Sequence, residues 1–476
     1  MSIAATPSAL REIADMPAPK GLPLFGNFFE IDLNHFHQVL ERWADQLGPV
    51  YSFAIGPRRM VALADPEAMK RMFRERPDTF RRTRRLADAL AEMRFTGVFS
   101  AEGDTWRRQR KLVAMALNTA HLKSFYPSMR ITTERLLARW QRAARDGVDI
   151  DLCADLMRYT VDVTTQLAFG IDFNTLETEG PVIQQKLDKV FPVLNSRINA
   201  LVPYWRHFRL PRDRELDAAL ADIQLRVNAI IADARARMAA DPALYEAPTN
   251  FLEAIIAAKE SEGIELSDED IYGNVCTLLL AGEDTTANTI AWAVNFFIEQ
   301  PALFARARAE ADAVLGHSPV ATDVDQAGEL PFIEAFYNET MRLKPVAPIN
   351  AMEPLEDVEL MGYRIPRGTV VMMLTRHMAT DEARFGDARR FDPDRWLRET
   401  QPAGCPHDTS AYVPFGTGPR FCPGRNLALL EIRTVLSMLC RNFEVRLAPG
   451  TPPVEEHLAF TMMPRNLIVR LTARAN

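Results

Sequence analysis

One long helical run near the middle of the chain most restricts what this sequence can fold into. It opens at Ser267, carries Asp268 and Glu269 in its first turn, and closes before Pro301. Acidic residues in a first turn and a proline just past the end are typical helix boundaries. Roughly 30 residues at helical rise span about 45 Å, the width of a whole domain. The segments VCTLLL and IAWAV are apolar on either side of the polar stretch AGEDTTANT, which predicts a helix buried through the centre of a mainly helical protein.

The rest of the sequence adds helices and a few short strands. From about residue 104 to 342 nearly every segment has helical periodicity. VYSFAIG and RRMVALA flank a Gly-Pro turn and predict a hairpin, and Asp65 with Pro66 predicts the start of the next helix. Strand patterns return in DVELMGYRIPRGTVVMML, FEVRLA and NLIVRLTA.

These patterns predict a mainly α fold with small peripheral antiparallel β-sheets. The chain has 476 residues, a length that allows about three domains. No linker or repeat supports a division, however. We therefore expect one large domain over residues 18–476, preceded by an N-terminal extension of residues 1–17.

Composition excludes several classes of protein. The chain is 47% hydrophobic and 25% charged, as soluble globular proteins are, and its net charge of −7 argues against general nucleic-acid binding. No apolar run approaches the roughly 18 residues of a membrane span. The N-terminus also lacks the pattern of a signal peptide. We expect a cytoplasmic protein without a transmembrane anchor.

The five cysteines are scattered and form no zinc-binding pattern. None makes a C-x-x-C pair, which indicates reduced thiols. Four of them are interpreted as small buried hydrophobic residues. These four are Cys153, Cys276, Cys405 and Cys440.

Cys422 differs from the other cysteines because of the loop around it, FGTGPRFCPG. Gly416 and Gly418 permit a backbone path that is closed to other residues, and a strongly helical run begins just after Gly424. The positive end of that helix and the N–H groups of the loop favour a thiolate. The loop therefore predicts a metal-ligating thiolate shielded by Phe415. A cysteine buried in a glycine-rich turn is the alternative.

The loop resembles the haem-binding signature of the cytochrome P-450 superfamily, F-x-x-G-x-R-x-C-x-G. Phe415, Gly418, Arg420, Cys422 and Gly424 match every fixed position. The resemblance implies a fold that encloses haem b, with Cys422 as the axial ligand of the iron and Arg420 paired with a haem propionate. Thiolate ligation pushes electron density onto iron and favours O–O cleavage.

The polar stretch of the long helix resembles a second motif of that family, A/G-G-x-D/E-T-T/S. By this match Thr285 is the hydroxyl near bound dioxygen, Asp284 relays protons, and Ala281 is the small residue that faces the haem. A glycine weakens a helix and Thr285 can divert a backbone carbonyl, so we also expect a local widening here. The alternative is a kink with exposed acidic side chains.

Two further pairs match motifs of the family. Glu339 and Arg342 share a helix face, and alone they would be an ordinary surface ion pair. The resemblance implies that this pair is buried and joined by Arg395, in a structural role. Trp106 and Arg110 match W-x-x-x-R, which implies contacts with the haem propionates. A basic amphipathic face is the alternative for this second pair.

The sequence departs from many relatives near Met352. Those relatives carry a basic residue there that contacts a propionate, and this chain has none. The resemblance then implies that propionate binding depends more on Trp106, Arg110 and Arg420.

Order along the family fold also predicts which segments line the substrate pocket. They are mostly apolar and suit a fatty acid, terpene, steroid or polyketide-like compound, although each could equally belong to the core. The predicted residues are Val98, Phe99, Ala281, Val346, Ala347, Phe460 and Thr461.

The resemblance implies a haem-thiolate monooxygenase of soluble, bacterial type. Such an enzyme inserts one atom of dioxygen into an apolar substrate and reduces the other to water. Its electrons come from NAD(P)H through a ferredoxin or flavodoxin and its reductase. The alternatives are a peroxide-driven peroxygenase or isomerase on the same fold and a non-catalytic haem-binding sensor, but the intact Asp284–Thr285 pair argues against both.

Basic residues follow the thiolate loop and lie on the Trp106 helix, and the resemblance implies that these two elements meet on the proximal side of the haem, where the electron donor would dock. A basic patch on an acidic protein steers a small acidic redox protein. The alternative is that these side chains pair with local acids such as Glu431. We expect the enzyme to be a monomer. The basic residues are Arg107, Arg108, Lys111, Arg425 and Arg433.

Overall fold

The computed structural model describes residues 10–178, 190–200, 202–263, 265–397 and 409–474. Most of the secondary structure is helical. The α-helices are α1 (Phe36–Leu47), α2 (Pro66–Arg74), α3 (Arg84–Glu92), α4 (Gly103–Ala116), α5 (Thr119–Asp146), α6 (Leu152–Phe169), α7 (Val190–Asn199), α8 (Pro211–Ala240), α9 (Ala243–Glu246), α10 (Phe251–Glu262), α11 (Asp268–Glu299), α12 (Pro301–Leu315), α13 (Val324–Gly328), α14 (Pro331–Leu343), α15 (Thr375–Ala379) and α16 (Arg425–Asn442).

The strands are short, and those in the described ranges form four small sheets, with strand orders β1-β8-β7, β2-β3-β9-β6-β4, β10-β13-β5 and β11-β12. The strands are β1 (Arg11–Glu12), β2 (Val50–Ile55), β3 (Arg58–Leu63), β4 (Phe80–Arg82), β5 (Ile150–Asp151), β6 (Asn350–Pro354), β7 (Val358–Leu360), β8 (Tyr363–Ile365), β9 (Val371–Met373), β10 (Phe443–Leu447), β11 (Glu455–Leu458), β12 (Met462–Arg465) and β13 (Ile468–Ala473).

The mainly α fold with small sheets is confirmed, but the expectation of purely antiparallel sheets is wrong. β2 and β3 form the predicted antiparallel hairpin, whereas β3 pairs with β9 in parallel and β1 pairs with β8 in parallel. Both parallel pairs join strands that are far apart in the sequence. Such strands need no hairpin turn between them, so local patterns carry no information on their direction.

The described chain forms two compact units. The smaller unit takes its residues from 10–87, 347–388 and 409–421, and it contains the five-stranded sheet. Its core packs α1 against β2 through the rings of Trp43, Tyr51 and Phe53. Asp65 caps α2 as predicted, since its side chain accepts a hydrogen bond from the N–H of Ala68 at 2.8 Å.

The larger unit takes its residues from 88–346, 389–397 and 422–474. Its centre is α11, which begins with the predicted N-cap. The Ser267 hydroxyl accepts from the N–H of Asp270, while the Asp270 carboxylate accepts from the N–H of Ser267, a capping box that fixes the first turn. Nearly every residue from Ile271 to Leu280 and from Thr286 to Phe297 is buried.

Gly282 has a different role from the one predicted. The backbone is continuous α-helix from Asp268 to Glu299, so the expected widening is wrong. A Cβ atom on Gly282 would lie 2.8 Å from the hydroxyl oxygen of Thr164 on α6. The neighbouring Thr160 hydroxyl donates to the carbonyl oxygen of Glu283 at 3.1 Å. Gly282 therefore lets α6 approach α11 closely.

The cysteine predictions are partly confirmed. Cys276 and Cys440 are buried, and burial raises the pKa of Cys276 to about 12. Cys153 is only partly buried as a residue, although burial of its thiol raises the pKa to about 12. Cys405 lies outside the described residues.

The sequence predicted that the chain has no transmembrane anchor and that residues 1–17 form an N-terminal extension. Within the described ranges, no helix is both long and apolar enough to cross a membrane. The boundary at residue 17 stays a prediction. Part of the predicted extension, Arg11–Glu12, is the strand that pairs with β8.

Candidate active site

The middle of α11 is open on one side. Ala281 is exposed and Asp284 and Thr285 are half-buried, although the turns before and after them are buried. The Thr285 hydroxyl donates to the carbonyl oxygen of Ala281 at 2.8 Å. Because its hydrogen is used in this way, the hydroxyl oxygen can accept a hydrogen bond from the open side. An acid and a hydroxyl thus lie side by side at an opening in an otherwise apolar helix.

Cys422 lies two residues before the N-cap of α16. The N–H of Arg425 donates to the carbonyl oxygen of Cys422 at 3.4 Å, and Gly424 is the N-cap. Cys422 is half-buried, unlike Cys276 and Cys440. Its thiol is therefore accessible at the positive end of an 18-residue helix, where a thiolate is stabilised.

The glycines before Cys422 belong to the smaller unit and shape the first half of the loop. Gly418 has φ = +71°, a left-handed conformation, and a Cβ atom there would lie 2.6 Å from the carbonyl oxygen of Phe73. Only glycine suits both conditions. Phe415 and Arg420 in this part of the loop are both half-buried.

Trp106 and Arg110 lie one turn apart on α4. Trp106 is buried and Arg110 is half-buried. Burial lowers the pKa of the Arg110 guanidinium, and the negative charge of Cys422 opposes that change. The two motifs, far apart in the sequence, therefore interact electrostatically within the larger unit.

The structure brings Glu339, Arg342 and Arg395 together, as their motifs predict. Arg342 on α14 donates to both carboxylate oxygens of Glu339, at 2.8 and 2.7 Å. Arg395 donates to the same carboxylate at 2.9 Å, and so does the indole N–H of Trp396. The side chains of Glu339 and Arg342 are fully buried, so this is an interior ion pair and not a surface one.

Several of the predicted substrate residues meet within the larger unit. The rings of Phe99 and Phe460 lie 6.4 Å apart, edge to face. The N–H of Met462 donates to the carbonyl oxygen of Val346 at 2.8 Å, which joins the turn at Phe460 and Thr461 to the end of α14. Val98 is buried, and its N–H donates to the side chain of Asn274 on α11. Ala347 begins a segment of the smaller unit, where its carbonyl oxygen accepts from Thr375.

Comparison with known proteins gives the family. The cytochrome P-450 family model matches residues 16–471, which is almost the whole chain. This chain is a cytochrome P-450.

The relatives are similar over most of their length. The mitochondrial 25-hydroxyvitamin D-1 alpha hydroxylase of Mus musculus is 27% identical over 97% of this chain and 92% of its own. The chloroplastic carotene epsilon-monooxygenase of Arabidopsis thaliana is 27% identical over 86% of this chain and 77% of its own. The expectation of a soluble, bacterial and cytoplasmic type is not supported by these relatives, whose names place them in mitochondria and chloroplasts.

Membership of the family establishes the class of activity. The protein is an oxygen-incorporating oxidoreductase that uses haem b and oxidises an apolar organic substrate, with NAD(P)H-derived electrons delivered by redox partners. The donor set of this chain suits a haem. Among the described residues, no group of three or more His, Cys, Asp or Glu side chains could hold a metal ion. A single thiolate suits an iron whose other ligands come from a macrocycle.

The basic residues near the loop are only partly available for docking. Arg107 pairs with Asp104 at 2.6 Å, and Arg433 pairs with Glu334 at 2.6 Å. Glu431 is not the partner that the sequence suggested. It is buried, one of its oxygens has no hydrogen-bond partner among the described residues, and burial raises its pKa well above the usual range.

Sequence reasoning missed three residues of this cytochrome P-450. Trp396 follows Arg395 directly, so its indole could have been included with the ion pair. Arg82 on β4 lies opposite Met352 on β6, a register that no sequence pattern indicates. Asn288 lies on α11 three residues after Thr285 and is buried. An amide so close to the motif, in a helix expected to be buried, could have been recognised from the sequence.

We predict that Glu339→Gln lowers the free energy of unfolding by about 3–5 kcal/mol. The change removes the carboxylate and leaves the guanidinium groups of Arg342 and Arg395 buried without their counter-charge. Denaturant unfolding of the haem-loaded protein measures the loss. Asp394→Asn is the control, because it breaks an exposed pair with Arg306 and should cost about 1 kcal/mol or less. Equal losses in the two variants would contradict the structural role of Glu339.

Proposed function

We propose that Cys422 is the axial ligand of the haem iron in this monooxygenase. The supporting observation is a half-buried thiol at the positive end of α16 that interacts electrostatically with Arg110. The haem supplies the oxidation chemistry when it is bound. The chain supplies the thiolate, the contacts that orient the haem, and the protons. Phe415, Gly418 and Gly424 shape the loop that carries Cys422.

Four residues are proposed to hold the haem propionates. Trp106, Arg110 and Arg420 follow from their motifs. Arg82 is added because it lies opposite Met352, where many relatives carry a base. Guanidinium groups suit this task because they bind carboxylates in a two-pronged geometry.

Asp284 and Thr285 are proposed to deliver protons at the open side of α11. The Thr285 hydroxyl donates its hydrogen to the carbonyl oxygen of Ala281, so its oxygen is available to accept a hydrogen bond. Asp284 is half-buried and can exchange protons with water. Ala281 leaves room beside them.

The substrate is proposed to be a terpene- or steroid-like compound. The relatives are named for carotene and 25-hydroxyvitamin D, both large apolar molecules. Within the larger unit, the rings of Phe99 and Phe460, with Val98 and Val346, offer apolar groups for such a skeleton.

The electron donor is proposed to be a ferredoxin or flavodoxin served by a separate reductase. On a chain with a net charge of −7, a basic docking patch would steer an acidic partner. Arg108 and Lys111 are exposed on α4 together with the paired Arg107, and Arg425 is exposed at the start of α16. We further propose that the enzyme is a soluble monomer in the cytoplasm.

Cys422→Ala tests the axial ligand. We expect the reduced carbon-monoxide complex to lose the absorption band typical of haem thiolates, because no other thiol lies in the described part of the loop. Cys153→Ala is the control, since Cys153 is also only partly buried. A band that survives in Cys422→Ala would overturn the assignment. In the wild type, product formed with peroxide but not with reductant would indicate a peroxygenase instead, and haem binding without any turnover would indicate a sensor.

Thr285→Ala should separate oxygen consumption from product formation. Alanine suits a helix, so folding and haem binding should persist while proton delivery fails. We expect NAD(P)H still to be consumed, with more hydrogen peroxide and less product. Thr289→Ala is the matched control, because the Thr289 hydroxyl makes the same type of bond, to the carbonyl oxygen of Thr285 at 2.8 Å. An unchanged ratio of product to NAD(P)H in Thr285→Ala would remove Thr285 from the mechanism.

Arg107→Glu combined with Arg108→Glu should slow the first electron transfer. We expect roughly a tenfold loss at low ionic strength and little loss at high salt, because surface charges act on association and are screened. Stopped-flow reduction of the haem measures the rate. Arg209→Glu with Arg226→Glu is the control, since these arginines are as exposed as Arg107 and also pair with nearby acids. Equal slowing in both double variants would contradict this docking face.

A further inference from the structure

Asn288 on α11 carries a polar group that the protein itself does not satisfy. Its side chain is 1% exposed. The amide nitrogen donates to the hydroxyl oxygen of Thr461 at 3.2 Å, whereas the amide oxygen has no hydrogen-bond partner among the described residues. An unsatisfied buried acceptor lowers stability unless something binds it.

Asn288 lies close to several residues that are proposed to line the substrate pocket. Asn288 lies three residues, almost one turn, beyond Thr285 on the same helix. Thr461 belongs to the turn that carries Phe460, whose ring meets that of Phe99. Apolar pockets of this kind use a few well-placed polar groups to orient their ligands.

The turn at Thr461 is held rigidly enough to present a hydrogen-bonding group. The N–H of Ala459 donates to the carbonyl oxygen of Thr461 at 3.0 Å, which closes the turn. The indole N–H of Trp292 on α11 donates to the carbonyl oxygen of Met462 at 3.2 Å. The Thr461 hydroxyl accepts from Asn288 and can still donate its own hydrogen. The pair therefore offers one acceptor and one donor side by side.

We propose that Asn288 and Thr461 bind a hydroxyl group on the substrate. The substrate O–H donates to the amide oxygen of Asn288, and its oxygen accepts from the hydroxyl of Thr461. The substrate class is then an apolar skeleton that already carries a hydroxyl group. This inference rests on the proposed function, because it places the ligand beside Thr285.

Matched pairs of compounds test the inference by binding alone. The probes are borneol with bornane, hexahydrofarnesol with farnesane, and cholestanol with cholestane, which differ within each pair by one hydroxyl group. Substrate-induced shifts of the haem absorption band give the dissociation constants. For the pair whose skeleton fits, we expect the alcohol to bind about tenfold more tightly than its parent hydrocarbon, or more.

Isosteric variants assign that preference to the two residues. Thr461→Val and Asn288→Leu should reduce the ratio of the two affinities to near one, while Thr461→Ser should keep it. A purely structural role would weaken both members of a pair equally and leave the ratio unchanged. Asn295→Leu is the matched control, because Asn295 is a buried amide on α11 whose side chain donates to Glu299.

Three outcomes would overturn the proposal. The first is that, in all three pairs, the alcohol binds no more tightly than its hydrocarbon. The second is that the ratio of the two affinities persists in both Thr461→Val and Asn288→Leu. The third is that this ratio is lost to the same extent in the control Asn295→Leu. Failure of the proposed function is seen separately, as absence of the haem-thiolate band in the carbon-monoxide complex of the wild type.

Discussion

The buried carboxylate of Glu339 receives hydrogen bonds from Arg342, Arg395 and Trp396, and the chain that follows residue 388 is fixed to α14 by them. The N–H of Asp392 adds a bond at 2.9 Å. One carboxylate faces two guanidinium groups, so a neutral residue in place of Glu339 would leave two buried positive charges without a counter-charge. Interior ion pairs contribute less to stability than their Coulomb energy suggests, because both charges lose hydration. We interpret these hydrogen bonds to Glu339 as fixing one arrangement of the segment that follows residue 388, since they join residues more than 50 positions apart.

The central helix combines two demands that normally conflict. It must be apolar to lie buried, and it must carry the polar groups of the active site. The structure separates these demands along the helix. Mostly apolar residues fill the buried turns on either side of the polar stretch, whereas the backbone at Gly282 and Glu283 meets the threonines of α6 and the Thr285 hydroxyl bonds to the backbone of its own helix. The hydroxyls of Thr160 and Thr285 thus bond to backbone carbonyl groups of α11, and the helix stays regular where the sequence predicted a widening.

Much of the fold and site could be predicted because the signals are local. The capping box of α11, the β2–β3 hairpin and the cap of α2 each depend on residues within a few positions of one another. The motifs around Cys422, Thr285, Glu339 and Trp106 are equally short. What could not be predicted depends on distant parts of the chain. The parallel pairing of β3 with β9, the contact of Gly282 with Thr164, and the pairing of Arg433 with Glu334 all join separate segments.

The position of the thiolate follows mainly from backbone geometry. A cysteine fixed by side-chain packing would be buried, as Cys276 and Cys440 are, and burial raises the pKa of such thiols above the range in which they ionise at neutral pH. Cys422 is held instead by a loop whose glycine at 418 packs directly on the carbonyl of Phe73, and by the first turn of α16. Backbone contacts therefore position the sulfur while leaving it half-buried and next to the positive end of a helix. Among the described cysteines, this position distinguishes Cys422, the proposed iron ligand, and it accounts for the glycines in its loop.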